Sequence, residues 1–265
     1  MSSDAAPAPA PAAPPAPERK KTIVFCIPGR EFSNRFLVSW TQTMHDLWES
    51  GKYNVLVSSQ YSSCVHFARA KCLGASVMRG ENQKPFNGQL PYDALVWIDS
   101  DIVFRPQDVV ALIEATAIHP IVSGAYMMED GGHFCCVENW DTNYYRENGG
   151  CFKFVTPERV AEYAESTGMT YMPVCYAGLG FCAFRYGVLE DPRLKYPWFY
   201  GPVQRIPTGG AAAGAGAGDE NAPSELVDMM SEDVALFRNI TDAGIVDAVM
   251  LHTGIRVGHE KKLVL

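Results

Sequence analysis

Two carboxylates, Asp99 and Asp101, follow directly after a short run of apolar residues at 94–98. Such a run, with Pro91 just before it, is typical of a buried strand. Because residues two apart in extended chain point to the same side, we expect the two aspartates to lie side by side at the strand's carboxyl end. Adjacent carboxylates repel each other, and a divalent cation carrying a diphosphate is the simplest group that would neutralise them. Mg²⁺ and Mn²⁺ prefer such oxygen ligands.

The main alternative for this pair is structural. An Asx turn would also place two aspartates after a strand, where they would cap or solvate a loop. The apolar strand before the pair favours the metal-binding interpretation, and so does the helical pattern that follows it. That pattern has Pro106 in its first turn and an apolar face formed by Val109, Val110, Leu112 and Ile113.

The elements that must position the pair alternate between strand and helix in the first half of the chain. Strand patterns cover 22–27, 53–58, 94–98 and 121–125, and helical patterns cover 36–50, 64–78 and 106–118. This alternation predicts an α/β fold with a mostly parallel sheet and right-handed crossovers. The second half is less regular, with predicted strands at 151–155, 171–174 and 245–265 and predicted helices at 157–166 and 231–244.

Composition limits the organisation of the chain and its partners. Residues 1–19 are almost entirely Ala, Pro and Ser, and we expect a disordered tail there. A Gly/Ala-rich stretch at 208–224 is predicted to be a flexible insertion. The remainder of 20–265 is enough for one large domain. With no run of 18 apolar residues, we expect no membrane span.

The net charge and the cysteine content further limit the class of protein that the chain can belong to. The net charge of −8 argues against a nucleic-acid binder that neutralises phosphates. The eight cysteines form no C-x-x-C pair, so we expect free thiols, a reducing environment and a cytoplasmic protein.

Six short motifs occur in an order that resembles a known family, the metal-dependent nucleotide-sugar glycosyltransferases of the GT-A fold. Within that family the chain is similar to the compact enzymes of large algal DNA viruses. The chain departs from the family at Ala70, where Asn or Asp commonly stands. The motifs are Ile27-Pro28-Gly29, Ala68-Arg69, Asp99-Ser100-Asp101, Gly178-Leu179-Gly180-Phe181, Ser231-Glu232-Asp233 and Gly258-His259.

The resemblance implies a GT-A domain with a smaller, mixed acceptor-side region and a metal site that uses Mn²⁺ or Mg²⁺. Asp101 would be the direct ligand, and Asp99 would bind the ribose or reach the metal through water. His259 would close the metal site, and its imidazole suits Mn²⁺ better than Mg²⁺. His252 is the rival ligand because it lies on the same segment, and a surface histidine is the alternative for His259.

The same resemblance implies a donor-binding set at the strand ends. Arg69 would contact the diphosphate, although an exposed helix arginine is the alternative. Gly178 and Gly180 would let the donor sugar approach the backbone, although a bulge or turn would explain them too. The full set is Pro28, Gly29, Arg30, Ser58, Arg69, Asp99, Ser100, Gly178 and Gly180.

Asp233 is the candidate general base, which would accept the proton of the acceptor hydroxyl. Its place in a first helical turn offers a structural alternative, because acidic residues there cap N–H groups and suit the helix dipole. Ser231 is expected to cap the helix by itself and leave Asp233 free. Glu232 is the alternative base or a ligand for the acceptor.

These roles imply an enzyme that transfers a hexosyl or deoxyhexosyl group from a nucleotide-diphosphate sugar, with UDP favoured, to a glycan hydroxyl with inversion. The strongest rival is a phosphatase of the haloacid-dehalogenase type, in which Asp99 would be the nucleophile. That motif normally opens its domain, whereas here two strand–helix units precede it.

Overall fold

The computed structural model describes residues 19–207 and 225–260. The predicted tail, apart from residue 19, and the predicted insertion at 208–224 lie outside the described residues. The first half contains β1 (Lys21–Pro28), α1 (Asn34–Glu49), β2 (Tyr53–Gln60), α2 (Val65–Cys72), β3 (Ala94–Ile98), β4 (Ile102–Val103), α3 (Pro106–Ala115) and β5 (Ile121–Tyr126). Two short 3₁₀ helices, Val77–Arg79 and Pro85–Gly88, connect α2 to β3.

The second half contains β6 (Cys136–Val137), α4 (Thr142–Glu147), α5 (Pro157–Thr167), β7 (Tyr171–Val174), β8 (Tyr176–Ala177), β9 (Phe181–Arg185), β10 (Val203–Pro207), β11 (Glu225–Met229), α6 (Glu232–Asp242) and β12 (Val249–His259). The pairs β6–β8 and β10–β11 form two small antiparallel sheets outside the main one.

The main sheet has eight strands in the order β2-β1-β3-β9-β5-β12-β4, with β7 paired to β12. Strands β2, β1, β3, β5 and β12 run in one direction, and β9, β4 and β7 run against them. This architecture confirms the predicted α/β class with a mostly parallel sheet flanked by helices.

Helices cover both faces of this sheet, which explains why its central strands are apolar without alternation. In β1, Ile23 and Phe25 face the core under α1 and α3, while Val24 and Cys26 face the core under α2 and α6. All four side chains are buried. The continuous apolar runs seen in the sequence therefore reflect strands buried on both sides.

Two predicted elements are wrong in extent or kind. The helix predicted over 64–78 ends at Cys72, because Gly74 adopts a left-handed φ of +69° that closes the last turn. The strand predicted at 151–155 is absent from the described fold. Only Phe154 forms an isolated bridge there, to Val137, and the preceding Gly149 and Gly150 have positive φ values.

Five strands point their carboxyl ends at one edge of the sheet. The ends of β1, β3, β5 and β12 bring Pro28, Ile98, Tyr126 and His259 to this edge. Open α/β sheets bind ligands at this edge, so the fold concentrates the candidate residues where a site is expected.

Candidate active site

The segment from Asp99 to Ile102 is a tight turn rather than extended chain. The Ile102 N–H donates to the Asp99 carbonyl (3.1 Å), and the Asp99 N–H donates to the Gly180 carbonyl (2.9 Å). The extended geometry expected for the two aspartates is therefore wrong. Because the chain turns between them, the two carboxylates meet different partners.

Arg69 forms an ion pair with Asp99. Its guanidinium donates to both carboxylate oxygens of Asp99 at 3.0 Å each, and its Nε donates to Glu232 Oε1 (3.1 Å). The Arg69 side chain is only 5% exposed and stands over the Trp97 ring. The alternative of an exposed helix arginine is therefore wrong, and Arg69 joins two carboxylates that lie 30 and 163 residues away in the chain.

The charge of Arg69 is secured by these contacts. Burial by itself lowers the pKa of the guanidinium, but Asp99 and Glu232 raise it more, and the net shift is upward. A bidentate arginine–carboxylate pair is among the strongest polar contacts in proteins. We call Arg69, Asp99 and Glu232 the Arg69 network.

Asp101 lies on the other side of the turn, against His259. The two side chains approach to 3.2 Å between Asp101 Oδ2 and His259 Nε2. His259 Nδ1 lies 2.8 Å from the Met127 carbonyl oxygen, which can only accept. Nδ1 therefore carries the hydrogen, and in the neutral ring the lone pair is on Nε2, beside Asp101.

This arrangement fits a divalent cation. Metal-binding histidines usually donate their second ring N–H to a carbonyl or carboxylate, as His259 does to Met127. Within 19–207 and 225–260, no group of three or more His, Cys, Asp or Glu side chains converges as a closed metal site. An ion held by Asp101 and His259 alone would keep positions open for phosphate oxygens and water, as Mg²⁺ commonly does.

His252 is not brought to this site. It lies seven residues before His259 on β12, beside Tyr171 of β7, where Gly254 N–H donates to its Nδ1 (3.1 Å). A strand rises about 3.3 Å per residue, so the two histidines are separated by most of the strand's length. Burial lowers the pKa of His252. Its role as the rival metal ligand receives no support from its position.

A cavity of about 810 Å³ opens next to Asp101. Gly29 packs closely against the lining residue Ser100, since a Cβ on Gly29 would lie 2.7 Å from Ser100 Cβ. The guanidinium of Arg30 stands 5.7 Å above the Tyr61 ring. The cavity is lined by Arg30, Glu31, Phe32, Ser33, Tyr61, Ser100, Asp101 and Glu260.

The remaining residues that were predicted to bind the sugar donor have structural partners. Pro28 ends β1, and the Gly29 N–H after it continues the pairing to Gln60. Ser58 lies in β2, and its hydroxyl donates to the Cys72 carbonyl at the end of α2 (2.7 Å). Ser58 therefore satisfies a backbone carbonyl at the end of α2, and this geometry gives no support to its predicted contact with the nucleotide-sugar donor.

Gly178 and Gly180 make room for Tyr126. A Cβ on Gly178 would lie 1.9 Å from the Tyr126 hydroxyl oxygen and 2.7 Å from Cys135 Sγ. A Cβ on Gly180 would lie 2.9 Å from the same ring, and the Gly180 N–H donates to the Tyr126 hydroxyl (3.2 Å). The Tyr126 ring also meets His259 edge to face. The space at these glycines is thus filled by protein, which favours the structural alternative for both.

We expect Gly178→Ala to lower the free energy of unfolding by about 1–3 kcal/mol, because the added methyl group overpacks the contact with Tyr126. Urea denaturation measures this. Tyr126→Phe removes the closest atom, so the double variant should lose less than the sum of the single variants. Gly132→Ala is the control, since its Cβ would meet only Asp130, at 4.0 Å. Additive losses would contradict the steric explanation.

Asp233 stands at the start of α6, next to Glu232, and is held by three donors. The Tyr176 hydroxyl donates to Oδ2 (2.9 Å), while the Val234 N–H (2.8 Å) and the Ser231 hydroxyl donate to Oδ1. Ser231 therefore does not cap the helix with its side chain, and that expectation is wrong. Burial raises the pKa of Tyr176 well above its usual range, and the Asp233 carboxylate raises it further, so its hydroxyl stays protonated as a donor.

Three residues of the site were not anticipated from the sequence. Tyr176 donates a hydrogen bond to Asp233. Tyr126 contacts both His259 and Gly180, and Glu260 lines the cavity. A usable signal existed for Tyr126, which directly follows the predicted strand at 121–125 and so had to reach the same sheet edge. Tyr176 belongs to a two-residue strand that leaves no periodic pattern.

The chain is similar to several solved structures. No protein-family model and no curated protein matches the chain. The chain is similar to GalNAc-T7, solved with UDP, GalNAc and Mn²⁺, at 12% identity and a TM-score of 0.47 over 92% of this chain and 43% of that one. The chain thus spans less than half the length of GalNAc-T7.

Two further structures are similar to the chain with lower TM-scores. Glucosyl-3-phosphoglycerate synthase from Mycobacterium tuberculosis, solved with Mn²⁺, UDP-glucose and phosphoglyceric acid, has 15% identity and a TM-score of 0.40, covering 92% of this chain and 73% of that one. A 4-diphosphocytidyl-2C-methyl-D-erythritol synthase from Anaerococcus prevotii has 14% identity and a TM-score of 0.32 over 65% and 76%. Separately, none of the described helices is long and apolar enough to cross a membrane.

Proposed function

We propose that this chain is a metal-dependent glycosyltransferase of the GT-A type that uses a nucleotide-diphosphate sugar, with UDP favoured, as donor. The observation that carries the proposal is the Asp101–His259 pair. Asp101 lines the cavity at the carboxyl edge of the sheet, and its partner His259 is oriented by the Met127 carbonyl as metal-binding histidines are. The rest of the site supplies groups that fit the two other needs of glycosyl transfer, donor binding and proton acceptance.

On the donor side, Asp101 and His259 would hold Mn²⁺ or Mg²⁺. When bound, the ion supplies positive charge to the departing diphosphate. Arg30 and Ser100 line the cavity in which the nucleotide would lie. Asp99 is engaged by Arg69, but a carboxylate has about four lone-pair sites, so it can still accept a ribose hydroxyl or a metal-bound water.

On the acceptor side, Asp233 is the base that this geometry favours. Its carboxylate is fixed by Tyr176 and Val234, and with the described residues it makes no ion pair like that of Glu232 with Arg69. Glu232, the alternative base, is occupied by the guanidinium. A base that accepts the proton of the acceptor hydroxyl directly, with no covalent intermediate, requires inversion at the anomeric carbon. The acceptor is a hydroxyl of a glycan, and the transferred group is a hexosyl or deoxyhexosyl group.

The phosphatase alternative needs Asp99 as a free nucleophile. Both oxygens of Asp99 instead accept hydrogen bonds from the guanidinium of Arg69. A carboxylate held in this way is a weak nucleophile. The contact therefore favours glycosyl transfer over phosphoryl-enzyme formation.

Calorimetry of UDP binding with Mn²⁺ and with chelator tests the proposal. We expect wild-type binding to require the ion and Asp101→Ala to weaken it by roughly 10–100-fold or more, because a ligand is lost. Asp130→Ala is the matched control, since Asp130 and His133 form a carboxylate–imidazole pair at 2.7 Å on the exposed surface. Equal wild-type affinity for UDP in chelator would contradict the proposal. Binding measurements with a panel of GDP- and UDP-sugars then identify the nucleobase of the donor.

A further inference from the structure

The donors to Asp233 among the described residues leave one acceptor position of its carboxylate open. An ionised carboxylate has about four lone-pair positions on its two oxygens. Oδ1 of Asp233 accepts from the Val234 N–H (2.8 Å) and from the Ser231 hydroxyl, which fills both of its positions. Oδ2 accepts only from the Tyr176 hydroxyl (2.9 Å) within the described chain. Because the side chain is half-buried rather than enclosed, the remaining position on Oδ2 is open to a hydroxyl of a ligand.

The Tyr176 hydroxyl, which shares Oδ2, is itself oriented by a thiol. Tyr176 has one hydroxyl hydrogen, and this hydrogen goes to Asp233 because an ionised carboxylate can only accept. Cys135 Sγ lies 3.6 Å from the same hydroxyl oxygen, so the thiol must be the donor in that contact. Burial raises the pKa of the Cys135 thiol, which therefore keeps the hydrogen that it donates. The hydrogen bonds thus run in one direction, from Cys135 through Tyr176 to Asp233.

The backbone of Cys135 is anchored on both sides. Its N–H donates to the Tyr126 carbonyl at the end of β5 (3.0 Å), and its carbonyl accepts from the Gly178 N–H (2.7 Å). Cys135 Sγ also borders Gly178, because a Cβ on that glycine would lie 2.7 Å from the sulfur. The thiol is therefore held in a fixed place from which it can orient the Tyr176 hydroxyl.

Packing restricts the ring of Tyr176 as well. Tyr176 is only 4% exposed, and its backbone pairs with Val137 in the small β6–β8 sheet. Its ring meets Phe237 edge to face, with 5.9 Å between the ring centroids, and lies 6.2 Å from the Trp140 ring. Phe237 belongs to α6, the helix whose first turn carries Asp233. The contact with Phe237 therefore holds the ring against the helix that supplies the candidate base.

We propose that Asp233 Oδ2 is the atom that receives the proton of the acceptor hydroxyl, and that Tyr176 and Cys135 are positioning residues that hold this oxygen in place. This assignment rests on the glycosyltransferase function proposed above. As the acceptor oxygen bonds to the anomeric carbon, its proton passes to Oδ2, and the bond from that carbon to the diphosphate oxygen breaks. Tyr176 keeps its own proton and prevents rotation of the carboxylate.

A second buried tyrosine–carboxylate pair provides a matched control. The Tyr92 hydroxyl donates to Glu190, and the two residues are 6% and 8% exposed. Tyr92 precedes the amino end of β3, whereas Asp99 follows its carboxyl end, so this pair lies at the opposite edge of the sheet from the candidate site. Tyr92→Phe therefore removes a hydrogen bond of the same kind without changing the site.

Turnover of the variants, measured as UDP release from UDP-sugars with free monosaccharides as acceptors, tests the proposal. We expect Tyr176→Phe to lower kcat by about 10- to 100-fold, the effect of misplacing a reacting group. Cys135→Ala should have a smaller effect because a thiol is a weak donor. The double variant should lose no more than Tyr176→Phe alone, since both residues act through one contact. Calorimetric binding of UDP with Mn²⁺ should stay within a few-fold of wild type, and Tyr92→Phe should keep full kcat.

The infrared S–H stretching band of Cys135 is a readout that does not depend on activity. It lies in a spectral region where other protein groups do not absorb, and hydrogen bonding lowers its frequency. The difference between the spectra of wild type and Cys135→Ala isolates this band. Tyr176→Phe should raise its frequency by removing the acceptor oxygen, whereas Tyr92→Phe should leave the frequency unchanged.

The outcomes separate this assignment from the proposed function. A wild-type chain that releases UDP from none of the UDP-sugars overturns the proposed function and the proton transfer with it, while the infrared band still reports the Cys135–Tyr176 contact. An active wild type overturns the assignment alone if Tyr176→Phe keeps full kcat, if the two substitutions have additive effects, or if Tyr176→Phe leaves the band unchanged. Should Tyr176→Phe fail to fold, Cys135→Ala takes its place in the kinetic test, with the neighbouring buried thiol variant Cys136→Ala as its control. Equal kcat values of these two thiol variants would then overturn the assignment.

Discussion

Replacing Arg69 by methionine is expected to lower the free energy of unfolding by about 3–5 kcal/mol, the usual effect of removing one partner of a buried ion pair. The loss is large because Asp99 and Glu232 would keep their charges without the guanidinium that now binds both. Denaturation in urea measures the difference. The chain would retain most of its packing, since methionine has a similar length and Trp97 can still cover it.

A surface pair of the same geometry provides the control. Arg159 donates to both oxygens of Glu138, at 3.0 and 2.8 Å, but its side chain is 39% exposed. We expect Arg159→Met to cost within about 1 kcal/mol, because exposed ion pairs contribute little. A triple variant, Arg69→Met with Asp99→Asn and Glu232→Gln, should recover part of the loss by removing the uncompensated charges. Equal effects of the two arginine substitutions would contradict a structural role for the Arg69 network.

Asp233→Asn is expected to lower glycosyl transfer by roughly 10²–10⁴-fold, the usual contribution of a positioned base. Asparagine can keep the surrounding contacts, because its oxygen can accept from Val234 while its amide donates to the Tyr176 hydroxyl. Binding of nucleotide and metal should therefore stay within a few-fold of wild type. Steady-state turnover and calorimetry on the same preparation separate the two effects.

Asp242→Asn controls for a change of charge on α6, because Asp242 ends the same helix and is exposed. It should leave turnover unchanged. If Asp233 only caps the helix, its asparagine variant should also remain active, since asparagine caps about as well as aspartate. Product stereochemistry is a second test. Retention at the anomeric carbon, measured by NMR, would exclude direct attack assisted by Asp233.

Local pattern was sufficient for much of the fold. The apolar runs of β1, β3 and β5 and the helical spacing of α1, α3 and α6 predicted these elements, because each depends on neighbours only a few residues away. Elements without such a pattern were missed. The two-residue strands β6 and β8 and the antiparallel pair β10–β11 depend on pairing between segments that are separated in the sequence.

For the site, the sequence by itself determined which residues reach one edge of the sheet. Asp99 and Asp101 follow the β3 run, so a parallel sheet had to bring them to its carboxyl edge. The pairing of Asp101 with His259, 158 residues away, followed from family resemblance and was not derivable from spacing.

Only the tertiary structure decided which partner each side chain meets. The turn at 99–102 separates the two aspartates, and the burial of Arg69 between distant carboxylates assigns it to Asp99 and Glu232. The physical reason is the distance along the sequence over which each kind of interaction acts. Periodicity reports contacts within a few residues, whereas charge pairing and close packing depend on which distant segments fold together. A buried arginine and an exposed one look alike in the sequence, and only the fold distinguishes them.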